Sequence, residues 1–126
     1  MTLVLDLDHT LVCAKTKFFN YCDTKFWFIS KRGHEISYYL SIRPHLTEFL
    51  KDMNELFEIV IFTASESEYA TEILKIIDHN QKYIDFALFR DSWTFIDSEY
   101  IKDISLLGRP IEKTIIVDDR ISSFWI

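Results

Sequence analysis

Two carboxylates, Asp6 and Asp8, and a hydroxyl, Thr10, stand at the end of an apolar run of Leu and Val that begins at Leu3. Apolar residues at this density suit a strand buried on both faces, as in a parallel sheet. Acids placed where such a strand ends are costly. Two carboxylates about 4 Å apart repel by about 4 kcal/mol at an effective dielectric of about 20. A hard divalent cation is the usual remedy. A second pair, Asp118 and Asp119, ends another apolar run, and Thr63 ends a third. Lys102 lies in a segment between strands. Four acids, a hydroxyl and one ammonium suit a divalent metal and a phosphoryl group. Oxygen donors favour magnesium, and no histidine or cysteine cluster competes for a softer ion. In such a set an aspartate can attack phosphorus. A second carboxylate can protonate the leaving alkoxide and later activate water. Thr63 and Lys102 can neutralise charge on the transferred group.

The elements that must position these groups follow from hydrophobic period. Strands are predicted at residues 3–7, 58–62, 86–89 and 114–117. Residues 14–25 hold no clear period. Residues 25–30 and 35–42 are rich in aromatic and β-branched types around Lys31-Arg32-Gly33-His34, which reads as a hairpin turn. Arg43-Pro44 predicts a helix start with Pro44 in the first turn. Leu46, Phe49, Leu50, Met53 and Leu56 recur on one helical face. Ser65 and Glu68 form a capping box for a second helix that buries Tyr69, Ile73, Leu74, Ile76 and Ile77. Residues 100–107 read as a loop and short helix, ended by Gly108-Arg109-Pro110. Strands separated by helices imply an α/β fold with a parallel sheet and right-handed crossovers. Ligands bind at the carboxyl ends of the strands in such sheets. Asp6, Asp8, Thr63, Asp118 and Asp119 would converge there, with Lys102 in reach.

Composition bounds the rest. The chain has 126 residues, 48% of them apolar, which is enough for one domain with one core and argues against disorder. A net charge of −6 disfavours a phosphate-backbone binder, so direct nucleic-acid binding is not expected. Cys13 and Cys22 show no metal or disulfide pattern and read as reduced thiols. No signal peptide or membrane span is visible, which fits an intracellular protein.

Asp6-Leu7-Asp8-His9-Thr10 resembles the D-x-D-x-T signature of the haloacid dehalogenase superfamily of phosphotransferases. Arg43-Pro44, Phe62-Thr63-Ala64-Ser65, Tyr100-Ile101-Lys102-Asp103 and Ile116-Val117-Asp118-Asp119 resemble its branch of small RNA polymerase II C-terminal-domain phosphatases, the NLI-interacting-factor-like family. The resemblance covers nearly the whole chain and keeps motif order. It implies a Rossmann-like parallel sheet flanked by helices in a single domain over 1–126. It also implies a small hairpin insertion over 16–42 that helps shape the substrate groove. It implies a magnesium-dependent protein serine/threonine phosphatase that forms an aspartyl-phosphate and acts on phosphorylated protein, the polymerase repeat among its targets. Asp6 would be nucleophile and metal ligand. Asp8 would be acid/base, with its backbone carbonyl on the metal. Thr63 and Lys102 would hold the phosphoryl group, and Asp118 and Asp119 would complete the metal shell. Thr10, Arg90 and Phe28 are the expected substrate contacts. Arg90 alternatively forms a surface ion pair, and Phe26, Trp27 and Phe28 alternatively pack in the hairpin or core. A nuclear or cytoplasmic location fits. Two departures from the family pattern stand out. Arg120 occupies a position often taken by a small residue. The chain also ends soon after the acidic pair, either as a truncated form or with the site's edge built differently.

Two other functions suit parts of this pattern. One is a catalytically weak phosphopeptide-binding module, suggested by the short C-terminal segment. The other is a phosphoacceptor receiver domain. Receivers carry their acidic pair after the first strand and their acceptor in the middle, whereas here the pair comes last.

Overall fold

In a computed structural model, residues 1–92, 94–96, 99–120 and 124–125 are described, and side chains over 1–91, 103–105 and 107–120. The chain opens with β1 (Thr2–Leu5), β2 (Val12–Lys15), β3 (Thr24–Ile29) and β4 (Glu35–Ile42). Next come α1 (Leu46–Asn54), β5 (Glu58–Phe62), α2 (Ser67–Ile77) and β6 (Phe86–Leu88). Short strands β7 (Thr94–Ile96) and β8 (Glu99–Asp103) precede β9 (Thr114–Val117), and β10 is Phe124–Trp125. The site-bearing sheet is parallel, in the order β6-β5-β1-β9.

Alternation along the sheet sends residues to two cores. Leu3, Leu5, Ile59 and Ile61 join Leu46 and Leu50 of α1 and Ala70, Ile73 and Ile77 of α2 on one face. Val4, Val60 and Phe62 pack on the other face against Ile104, in a 3-10 turn at Ile104–Leu107. This explains the continuous apolar runs in β1 and β5, since both faces are covered. The sheet that carries the hairpin is separate, antiparallel and ordered β2-β4-β3. Gly33, at φ +82°, closes the hairpin in a left-handed conformation that other residues adopt at a cost.

Several expectations are corrected. Residues 14 and 15, at the start of the stretch without legible period, belong to β2 because Cys13 and Ala14 pair with Ser41 and Leu40. Pro44 lies before α1, because His45 turns left-handed at φ 67° and delays the helix to Leu46. Phe49 and Leu56 are exposed rather than buried, as α1 buries only Leu46 and Leu50 fully. Ile76 on α2 is likewise exposed. The segment read as loop and helix at 100–107 is β8 followed by the 3-10 turn. β9 exposes Ile115 and Val117, because it is the outermost strand of its sheet.

Two local devices fix the sheet. The buried Asp78 carboxylate, at the end of α2, accepts from the backbone N–H groups of Lys82, Tyr83 and Ile84 and delivers the chain to β6. Arg109 grips Glu58 through two bonds of 2.7 and 2.9 Å, holding the Glu58 carboxyl below the usual carboxylate range. No helix among the described residues is long and apolar enough to cross a membrane. Asp78→Ala strands those three N–H groups and is expected to cost about 3 kcal/mol, read from urea unfolding.

Candidate active site

The register of the parallel sheet builds the site. Leu5 lies level with Ile61 on one side and Val117 on the other. Asp6 and Asp118 are therefore each the first residue past their strand, and Thr63 is the first past Phe62 at the end of β5. The Asp6 N–H donates to the Val117 carbonyl at 3.0 Å, which extends the pairing one residue into the site. Asp6 is buried, and so is Thr63 at 1% exposure.

Carboxylate oxygens of Asp6, Asp118 and Asp119 all lie within 4.8 Å of one another. At that spacing each ionised pair repels by about 3.5 kcal/mol at an effective dielectric of about 20. A hydrogen bond from the Asp6 carboxyl holds Asp119 below the usual carboxylate range, with burial opposing. The Arg120 N–H donates to Asp118 Oδ1 at 2.7 Å and fixes that side chain. Three crowded, oxygen-only donors at a partly exposed edge fit a hard divalent cation, magnesium or one like it.

Asp8 stands apart from this trio. β1 has ended at Leu5, so pleat alternation no longer governs where Asp8 points. The turn is tight: His9 adopts φ 65°, the His9 N–H donates to the Val12 carbonyl, and the Leu11 and Val12 N–H groups converge on Leu7. The two oxygens of Asp8 accept from the Ser65 hydroxyl and the Tyr69 hydroxyl, each at 2.6 Å. Burial first, then the charge of Asp8, raises the Tyr69 phenol far above its usual range, so it remains a donor. Neither contact was legible in the sequence. Ser65 read as a helix cap, yet the N-cap of α2 is Glu66 and no side chain caps it. The Ser65 hydroxyl serves Asp8 instead. Tyr69 read as core. Its spacing of four from Ser65, behind Thr63, was the available signal.

The Thr10 hydroxyl donates to Asp6 Oδ2 at 3.3 Å. Arg43 in turn donates from Nε to the Thr10 carbonyl at 2.6 Å. The Thr63 hydroxyl oxygen accepts the Ser65 N–H at 3.1 Å, which shapes the turn after β5. Arg90 is tied to the same turn, from Nε to the Ala64 carbonyl at 2.8 Å. It makes this backbone contact rather than an acidic pair among the described bonds. Phe28 is buried, in a seam where Phe26, Phe28 and Tyr38 surround the Tyr69 ring at 5.8, 6.1 and 5.0 Å between centroids. Trp27, 59% exposed, points outward between them, as strand alternation requires. A groove runs between β3 and α2, with Phe28, Glu68 and Thr71 among its walls. Lys102 belongs to β8, but its side chain lies outside the described residues.

Known proteins are similar to this chain in sequence and in fold. The family model described as NLI interacting factor-like phosphatase matches residues 1–126. CTD small phosphatase-like protein 3 of Caenorhabditis elegans is 40% identical over 98% of this chain and 42% of its own length. Carboxy-terminal domain RNA polymerase II polypeptide A small phosphatase 2 of Homo sapiens is 39% identical over 97% of this chain and 44% of its own length. The chain thus spans less than half the length of these relatives. Among solved structures, the fission yeast RNA polymerase II CTD phosphatase Fcp1, bound to beryllium fluoride, superposes with a TM-score of 0.81. It is 26% identical, over 98% of this chain and 38% of that one.

Magnesium at 100 times its dissociation constant is expected to stabilise the folded protein by about 2.7 kcal/mol, seen as a rise in Tm over EDTA. Asp118→Asn keeps an oxygen for the Arg120 N–H but removes a ligand charge, and most of that rise is expected to disappear.

Proposed function

The chain belongs to the NLI interacting factor-like phosphatase family, and from that premise we propose that it is the catalytic domain of a magnesium-dependent protein serine/threonine phosphatase. The single observation that carries the reading is the placement of Asp6. It shares an acidic trio with Asp118 and Asp119 within 4.8 Å, while Asp8, two residues on, is held out of that trio. This division supports a reading in which Asp6 acts on phosphorus and Asp8 handles protons.

Asp6, Asp118 and Asp119 would hold the cation, with the Asp8 backbone carbonyl as a further donor. Bound magnesium supplies positive charge against the phosphate oxygens and the crowded carboxylates. An Asp6 oxygen attacks phosphorus and the bond to the ester oxygen breaks. Asp8 gives its proton to that leaving oxygen, freeing serine or threonine. Asp8 then takes a proton from water as the water oxygen attacks phosphorus, releasing phosphate and restoring Asp6. Thr10 orients Asp6. Thr63 and Lys102 contact the phosphoryl oxygens, and Arg90, which follows β6 and is tied to the turn after β5, flanks them. The substrate is a phosphorylated, extended protein segment, and the names of the relatives point to the C-terminal domain of RNA polymerase II. That substrate places the protein in the nucleus or cytoplasm.

Phosphate release from 4-nitrophenyl phosphate tests the reading. Turnover is expected with magnesium, not with EDTA, and Asp6→Asn is expected to lose at least about a thousandfold. Activity retained in Asp6→Asn, or equal activity in EDTA, would contradict it.

A further inference from the structure

We infer that Ser65 and Tyr69 are positioning residues that clamp the Asp8 carboxylate from both sides, aim it at the leaving-group oxygen and keep it off the cation held by Asp6. The inference rests on the phosphatase reading above and adds to it the residues that make Asp8 an acid/base rather than a fourth ligand.

Asp8 is two residues from Asp6, in a turn rather than a strand, and its side chain has rotational freedom that backbone pairing does not remove. A cation beside Asp6 attracts any free carboxylate within a few ångströms. Something must hold Asp8 away from it. Each Asp8 oxygen accepts one hydroxyl at 2.6 Å, the short range of charge-assisted O–H···O bonds. Two such bonds, on different oxygens, fix both the tilt and the rotation of the group.

Both donors are themselves fixed. The Ser65 backbone is pinned by its N–H to the Thr63 hydroxyl oxygen at 3.1 Å. The Tyr69 ring is seated on three aromatic rings, two from β3 and one from β4. The hairpin therefore has a role beyond shaping a groove. Its inward aromatics hold the ring whose hydroxyl holds Asp8. Phe28 acts here through Tyr69 and Asp8.

A misaimed Asp8 leaves the attack on phosphorus intact but fails to deliver the proton to the ester oxygen. The loss must therefore grow as the leaving group becomes poorer. The quantity to measure is kcat/KM, which covers steps only up to phosphoryl transfer onto Asp6. Tyr69→Phe, which keeps the ring, is to be compared with the wild type on 4-nitrophenyl phosphate and on phenyl phosphate, whose leaving group is poorer. The expected result is a fall on phenyl phosphate about tenfold larger than on the nitrophenyl ester. Ser65→Ala is expected to show the same asymmetry, and Ser65→Thr, which restores a hydroxyl, to reduce it. The magnesium-induced rise in Tm is expected to persist in Tyr69→Phe, since the trio is untouched.

Equal losses on both esters, no loss on either, or a lost magnesium effect would overturn the clamp. Should Tyr69→Phe fail to fold, Ser65→Ala decides alone by the same asymmetry. A wild type inert on both esters would overturn the phosphatase reading and the clamp with it. An active wild type with symmetric losses would overturn the clamp alone.

Discussion

Repulsion among Asp6, Asp118 and Asp119 is the constraint on which the structure turns. The parallel register levels Leu5 with Val117, and the Asp6 N–H is bonded to the Val117 carbonyl. The backbone cannot separate the two strand ends without breaking the sheet. The backbone thus keeps these residues close, and their carboxylate oxygens lie within 4.8 Å of one another. A divalent cation would relieve that repulsion, since it would meet all three at once. The energy that enforces this crowding comes from burial along β1 and β5, where Val4, Leu5, Ile59 and Ile61 are almost wholly shielded from water.

Two acids two residues apart then serve different ends. Asp6 lies in the trio and accepts from Thr10, while Asp8 accepts from Ser65 and Tyr69. The partition is set by hydrogen bonding: two hydroxyl donors satisfy the Asp8 carboxylate. It extends to the hairpin, because the ring of Tyr69 is packed by Phe26, Phe28 and Tyr38. The antiparallel sheet is thus coupled to the parallel one through an aromatic seam and one phenol.

The sequence made the parallel sheet and its polar rim legible, because strands buried on both faces read as unbroken apolar runs. The runs ending at Leu5, Phe62 and Val117 each lead directly to Asp6, Thr63 or Asp118. The hairpin at β3 and β4 was legible from β-branched and aromatic residues around Lys31-Arg32-Gly33-His34. What hid from the sequence depends on tertiary partners. β2 has no period of its own and exists because β4 offers it a partner. Phe49 and Leu56 repeat at helical spacing, but only Leu46 and Leu50 meet the core fully. Ser65 follows the local grammar of a helix cap, yet its hydroxyl bonds a residue 57 positions away. Phe28 belongs to an aromatic stretch that suits a groove or a core equally. Only the strand's alternation relative to α2 decides, and it turns Phe28 inward and Trp27 outward.

The most direct test is to find the covalent intermediate. Wild-type protein is mixed with magnesium and a phosphoserine peptide carrying a radiolabelled phosphate, then quenched in acid within the first turnover. An acid-stable, hydroxylamine-labile label on the fragment that contains Asp6 is the expected result. Phosphate release without any labelled protein, or a label on another residue, would contradict nucleophilic attack by Asp6.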